Sequence, residues 1–172
     1  MQPLVSYNQR VGARSDVSKG DEMRPATDAT VTASRALLGI IARSMLPALE
    51  DVSLPQFRVL VLLSSAGPLR MGALAERLGV TVSTFSRTAD RLVTGGWAVR
   101  EDNPGNRREV ILAPSDKGLG LVASVTDHRR QLIEGVLKSM TPAQRDQLVD
   151  SLRAFTDAAD EPSVAELLIL GL

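Results

Sequence analysis

The chain contains no cysteine. That excludes disulfides, thiol-based redox sensing and cysteine-ligated metal sites. It has a single histidine, His128, and one histidine cannot build a zinc or iron site unaided. Aromatic residues make up only 3%, so a core has to come from Leu, Val, Ile and Ala, as it often does in helical proteins. No apolar run approaches the length of a membrane span, and the N-terminus lacks a charged-then-apolar signal pattern. A cytoplasmic protein without membrane association is expected. A Gly-rich phosphate loop, a paired-carboxylate cleft and a nucleophile motif are also missing, and the acids are scattered along polar helix faces. Neither an enzyme active site nor a cofactor is expected. Net charge is lacking too, since 20 basic and 20 acidic residues cancel. Taken alone, that argues against a nucleic-acid partner.

What is present fits one soluble globular domain with a real core: 172 residues, 44% hydrophobic and 23% charged. The charge is unevenly placed. Between residues 69 and 117, Arg70, Arg77, Arg87, Arg91, Arg100, Arg107, Arg108 and Lys117 outnumber Glu76, Asp90, Glu101, Asp102, Glu109 and Asp116 by two. Any affinity for nucleic acid should be moderate and salt-sensitive.

The chain is organised around residues 71–92, where two short helical patterns meet at Leu78-Gly79-Val80-Thr81. In the first, Leu74, Ala75 and Leu78 recur at three- and four-residue intervals and share one face. Gly79 can close that helix in a left-handed conformation. Thr81 can cap the next, with Val82 as its first residue. There Phe85, Ala89 and Leu92 point inward with Thr88 beside them. Val82, Ser83, Ser86 and Arg87 point outward, with Thr84 and Arg91 on the flanks. A small residue at the crossing, Gly in the turn and apolar residues holding the two helices form the pattern of a helix-turn-helix. Its outer face, small, hydroxylated and basic, suits a major groove. The same spacing also describes an ordinary surface helix, so the residues that follow decide between the two readings.

Thr94-Gly95-Gly96 stops the second helix. Trp97 to Glu101 and Arg108 to Leu112 then read as two strands around the turn Asn103-Pro104-Gly105-Asn106, with Trp97 and Val99 sharing one face and Val110 and Leu112 sharing one face. The hairpin carries Arg107 and Arg108 beside its tip. Directly after a helix-turn-helix, such a hairpin is a wing whose arginines can reach an adjacent minor groove.

Elsewhere the pattern is helical. Residues 1–25 are polar and aperiodic and read as a disordered leader. A helix follows over residues 27–50, with Leu37, Leu38, Ile41, Met45 and Leu49 on one side, and Pro47 ends its regular part near Met45. Ser53 and Gln56 form a capping box for a helix over residues 54–64 that sends Phe57, Leu60, Val61 and Leu63 into the core. Leu69 can form a strand of one or two residues. A long helix over residues 117–140 carries Leu121, Val122, Val125, His128, Leu132, Val136 and Met140 on a stripe. Here His128 is expected to be half-buried and hydrogen-bonded. Thr141 and Gln144 make a second capping box, opening a helix to about Ala159 that aligns Leu148, Leu152 and Phe155. The last residues, among them Val164, Leu167, Leu168, Ile169 and Leu170, are too apolar to stay in water.

The segment 73–80, the Leu54-Pro55-Gln56-Phe57-Arg58-Val59-Leu60 stretch, Asp90-Arg91-Leu92, Gly-Gly-Trp, the wing with paired arginines and the Lys-Gly opening a long helix together resemble the MarR family of bacterial transcriptional regulators. The likeness spans residues 27–159. It implies a mainly α fold with a small β-hairpin wing, a winged helix-turn-helix flanked by N- and C-terminal dimerisation helices. The expected organisation is a disordered leader over 1–26, the winged-helix domain with dimerisation helices over 27–160, and an apolar tail over 161–172 packed at the dimer interface. It further implies a homodimer that binds double-stranded DNA at a pseudo-palindrome, represses a nearby operon and is released by a small, aromatic effector. Thr81, Ser83, Thr84, Ser86 and Arg87 would contact the major groove, Arg91 would lie near phosphate, and Arg107 and Arg108 would work at the minor groove. The family's Asp-x-Arg in the wing is Asn106 and Arg108 here, so the arginine is kept and its acidic partner lost. Its Leu-Thr before the long helix is Pro114-Ser115. The alternative from another class is a winged-helix module that binds protein, which the neutral net charge permits.

Overall fold

A computed structural model describes residues 12–103, 105, 106 and 109–159, with side chains from residue 22 on. The chain divides into two units, one up to Ala42 and one from Arg43 onward.

The first unit is helical from Gly12 and belongs to α1 (Gly12–Met45). Residues 12–26 are therefore helical where a disordered leader was expected, and residues 1–11 lie outside the described part. The polar composition of this stretch does predict that nothing packs there, and residues 22–39 are all exposed. A helix, however, needs only local bonds. Thr27, Thr30 and Thr32 each donate a hydroxyl to the carbonyl four residues back, at 2.8–3.0 Å. Leu37 and Leu38 are about half exposed, at 47% and 48%.

In the second unit α1 ends at Met45, as Pro47 requires. Lacking an N–H, proline cannot continue the ladder, and Leu46 N–H bonds back to Arg43 only three residues away. A single turn, α2 (Ala48–Asp51), leads to Ser53, whose N–H and hydroxyl both donate to Gln56 Oε1 at 2.8 Å. This opens α3 (Leu54–Ala66). Besides Phe57, Leu60 and Leu63, Val59 and Leu62 are fully buried. The helix is thus enclosed on more sides than a single stripe predicts.

The strands β1 (Leu69–Arg70), β2 (Ala98–Asp102) and β3 (Val110–Pro114) form an antiparallel sheet in the order β1-β3-β2. Leu69 sits opposite Leu112, and Arg100 opposite Leu112 on the other side. Only the base of this sheet is covered. Trp97, Ala98, Leu112 and Ala113 are buried, whereas Val99 and Val110 are 43% and 39% exposed. Strand alternation over Trp97 and Val99 therefore does not hold. Trp97 precedes β2 and is not bound by its pleat, and the hairpin beyond Ala98 projects past the core.

The core joins α3 to α4 (Met71–Arg77), α5 (Val82–Thr94) and α6 (Asp116–Leu137) through Leu74, Ala75, Phe85, Ala89, Leu92 and Val125. Each large side chain so enclosed contributes about 1.5–3 kcal/mol. On α6, Leu121, Val122, His128 and Leu132 are half-buried, while Val136 is exposed and Met140 lies past the helix end. Thr141 and Gln144 exchange both capping bonds, at 2.9 and 3.3 Å, and open α7 (Pro142–Ala159). No residue of α7 is buried, and Leu152 and Phe155 are 48% and 55% exposed. No helix among the described residues is long and apolar enough to cross a membrane.

Candidate nucleic-acid interface

The turn between α4 and α5 is held by the chemistry its sequence predicts. Gly79 has φ +65°. Its N–H bonds to the Glu76 carbonyl, and Val80 N–H reaches the Ala75 carbonyl, both at 3.0 Å. This pair of bonds satisfies the last carbonyls of α4. Ala75, 1% exposed, lets the two helices approach. Thr81 Oγ1 then caps α5 by accepting Thr84 N–H at 3.3 Å. It also donates to Thr84 Oγ1 and shares a hydrogen bond with Ser83 Oγ, both at 3.0 Å. Thr81 thus commits its hydroxyl to aligning the first turn.

Phe85, Ala89 and Leu92 anchor α5 with at most 1% exposure. The opposite face is open: Val82, Ser83, Thr84, Arg87 and Arg91 are exposed and Ser86 is half-buried. Ser86 and Val82 line a hollow of about 600 Å³ whose other walls are the start of α4 and the hairpin, including Arg70, Arg100 and Glu109. Five of the eight candidate residues, Ser83, Thr84, Ser86, Arg87 and Arg91, therefore lie on α5, and a sixth, Thr81, is its N-cap. Arg107 and Arg108 lie outside the described residues.

Sequence reasoning missed two ion pairs at the hairpin, one joining it to α5 and one to β1. Arg100 Nη2 of β2 stands 2.5 Å from Asp90 Oδ1 of α5. Arg70 Nη1 of β1 stands 3.6 Å from Glu109 Oε1, whose other oxygen accepts Asn103 Nδ2 at 2.9 Å. Asp90 is the only acid in α5, which was the available signal that it serves a partner. The turn itself closes with Asn106 N–H donating to the Asn103 carbonyl at 3.1 Å, and Asn103 Oδ1 accepts Gly105 N–H at 3.0 Å. The turn end of the hairpin is braced by the bond between Asn103 and Glu109. Among the described residues no group of three or more His, Asp or Glu side chains is placed to hold a metal ion.

Comparison with known proteins agrees with this geometry. The model of the MarR family matches residues 50–109, from α2 to the wing. The solved structure of RV1404 from Mycobacterium tuberculosis is 42% identical, with a TM-score of 0.66, over 82% of this chain and 96% of that one. The transcriptional regulator Tm0710 of Thermotoga maritima shares the fold at a TM-score of 0.68 and 23% identity, over 80% of this chain and 95% of its own. The HTH-type transcriptional regulator ML2140 of Mycobacterium leprae is 29% identical over 112 residues, 65% of this chain and 78% of that protein. With the helix-turn-helix, the wing and these relatives in agreement, the chain belongs to the MarR family of DNA-binding transcriptional regulators and is not an enzyme.

Proposed function

We propose that the chain is a homodimeric repressor that binds a pseudo-palindromic operator and is released by a small aromatic molecule. The observation that carries the DNA reading is the outward face of α5, where Ser83, Thr84, Arg87 and Arg91 are exposed together while Phe85, Ala89 and Leu92 hold the helix from behind. In this reading Thr81 aligns the first turn, and Ser83, Thr84 and Ser86 face base edges and phosphates. Arg87 reads guanine in the major groove. Arg91 neutralises phosphate, and Arg107 and Arg108 enter the minor groove alongside. The dimer is supported by α7, an 18-residue helix without one buried residue that still presents Val149, Leu152 and Phe155. Two-fold symmetry then sets half-sites about one helical turn, roughly 10 base pairs, apart. A dimer covering that length excludes other proteins from the same duplex, which is how it would repress.

For the effector, support comes from a hollow of about 250 Å³ between the end of α1, α2 and α6, where Ala48, Leu121 and Val125 offer apolar walls and Ser44, Asp51 and His128 polar ones. An apolar cavity of about 150 Å³ suffices for a benzene ring.

The test of the wing is Arg108→Ala, titrated on operator DNA at several salt concentrations. Affinity should fall for all sequences alike, and the salt slope should flatten by about one phosphate contact. An unchanged slope and affinity would contradict the role given to Arg108.

A further inference from the structure

Two sequence motifs have no part in the interface described so far, Gly95-Gly96-Trp97 after α5 and Lys117-Gly118 at the start of α6. The fold brings them together. Lys117 Nζ donates to the Gly95 carbonyl at 2.9 Å and stands 3.7 Å from the centroid of the Trp97 ring. Ser115, the N-cap of α6, donates its hydroxyl to the Gly96 carbonyl at 2.7 Å and accepts Gly118 N–H at 3.1 Å. Its own N–H donates to the Trp97 carbonyl at 3.2 Å. Gly118 lies so close that a Cβ there would meet the Trp97 carbonyl oxygen at 2.2 Å.

Three successive carbonyls, those of residues 95, 96 and 97, are thus each engaged by residues 115 and 117. They follow the last turn of α5, whose own end carbonyls at Arg91, Leu92 and Val93 accept the N–H groups of residues 95–97 and whose C-terminal end carries partial negative charge. An ammonium there is favoured by the helix dipole, by the carbonyl and by the ring face beneath it.

We propose that Lys117 is a positioning residue for DNA recognition. It latches the first turn of α6 onto the C-terminal end of α5, so that a shift of the long helix is handed to the recognition helix rather than lost in the junction. Thr81 fixes one end of α5 and Lys117 the other, and between them the directions of Arg87 and Arg91 are set. The inference rests on α5 being the DNA-reading helix.

The test uses the whole 172-residue chain with Lys117→Met, which keeps the apolar stem, and Lys117→Arg, which keeps the charge and the donors. Trp97 is the only tryptophan, so its emission reports the latch directly and without DNA. Lys117→Met should shift that emission and speed amide exchange in the last turn of α5 while thermal stability and dimerisation are retained. Operator affinity should fall roughly threefold to thirtyfold, with the salt slope unchanged. Lys117→Arg should restore affinity and exchange protection. Unchanged affinity in Lys117→Met, with the wild type binding normally, would overturn the positioning role. So would a salt slope lowered by about one contact, which would make Lys117 a phosphate ligand. An affinity loss that follows lost folding or dimerisation, and that arginine does not rescue, would make it merely structural. A wild type that binds no duplex would sink the DNA reading itself, while the emission change would still reveal the latch.

Discussion

Replacing Leu152 and Phe155 together with glutamate should leave folded monomers whose affinity for operator DNA is lower by about 10²–10⁴-fold. These two side chains sit on α7 at 48% and 55% exposure, in a helix where no residue is buried within the protomer. Covering a Leu or Phe removes about 1.5–3 kcal/mol of unfavourable contact with water, and two-fold symmetry doubles each gain. Four carboxylates in the same place reverse it, because ionised groups cannot be enclosed without partners. The winged unit should survive, since its core of Phe57, Leu60, Leu63, Leu74, Phe85 and Leu92 does not include α7. A monomer then grips only one half-site and loses the effective concentration that its partner supplied. Light scattering and circular dichroism check the first part, and a titration on labelled operator checks the second. A dimer that persists, or an affinity that does not change, would show that α7 plays no part in pairing.

The second large effect is expected at Gly118. An alanine Cβ would lie 2.2 Å from the Trp97 carbonyl oxygen and 3.1 Å from Leu60 Cδ2. The first of these neighbours is backbone, already bonded to Ser115 N–H, so α6 itself has to move. Overpacking of this kind costs about 3 kcal/mol, which for a chain of this size lowers the melting temperature by roughly 6–12 °C. Gly120 is the control. It is exposed on the same helix with open space around its Cβ position, and Gly120→Ala should be neutral or stabilising by about 0.5–1 kcal/mol. Equal melting temperatures for the two variants, measured at one protein concentration, would contradict the close approach of α6 to Trp97.

Features determined by neighbours in sequence are legible in the amino-acid sequence itself. Thr81 as a cap, Gly79 in the left-handed region, the break at Pro47 and the two capping boxes each follow from one residue's chemistry and its partner three or four positions away. Features set by distant contacts were not. The stripe on α3 underestimated burial because Val59 and Leu62 face elements that periodicity cannot count. Alternation misassigned Val99 because only the base of the hairpin meets the core. The pairs Asp90–Arg100 and Arg70–Glu109 bridge 10 and 39 residues, and Lys117 reaches back 22 to Gly95. Polarity foretells the exposure of residues 22–26 yet not their helix, since exposure and local hydrogen bonding are separate matters. Within the candidate site, the placement of Ser83, Thr84, Ser86, Arg87 and Arg91 on one helix follows from a period of 3.6, and that of Thr81 from its capping chemistry. The ion pair that ties the hairpin to that helix, Arg100 to Asp90, cannot be read that way.

In the proposed complex two copies of this chain hold one duplex through their α5 helices and wings. Sedimentation velocity of the wild type with a fluorescent duplex from the region upstream of its own gene decides whether they do. In low salt the duplex should sediment with two chains bound and be released progressively as salt rises. A monomeric protein, with the duplex sedimenting alone at every salt concentration, would contradict it.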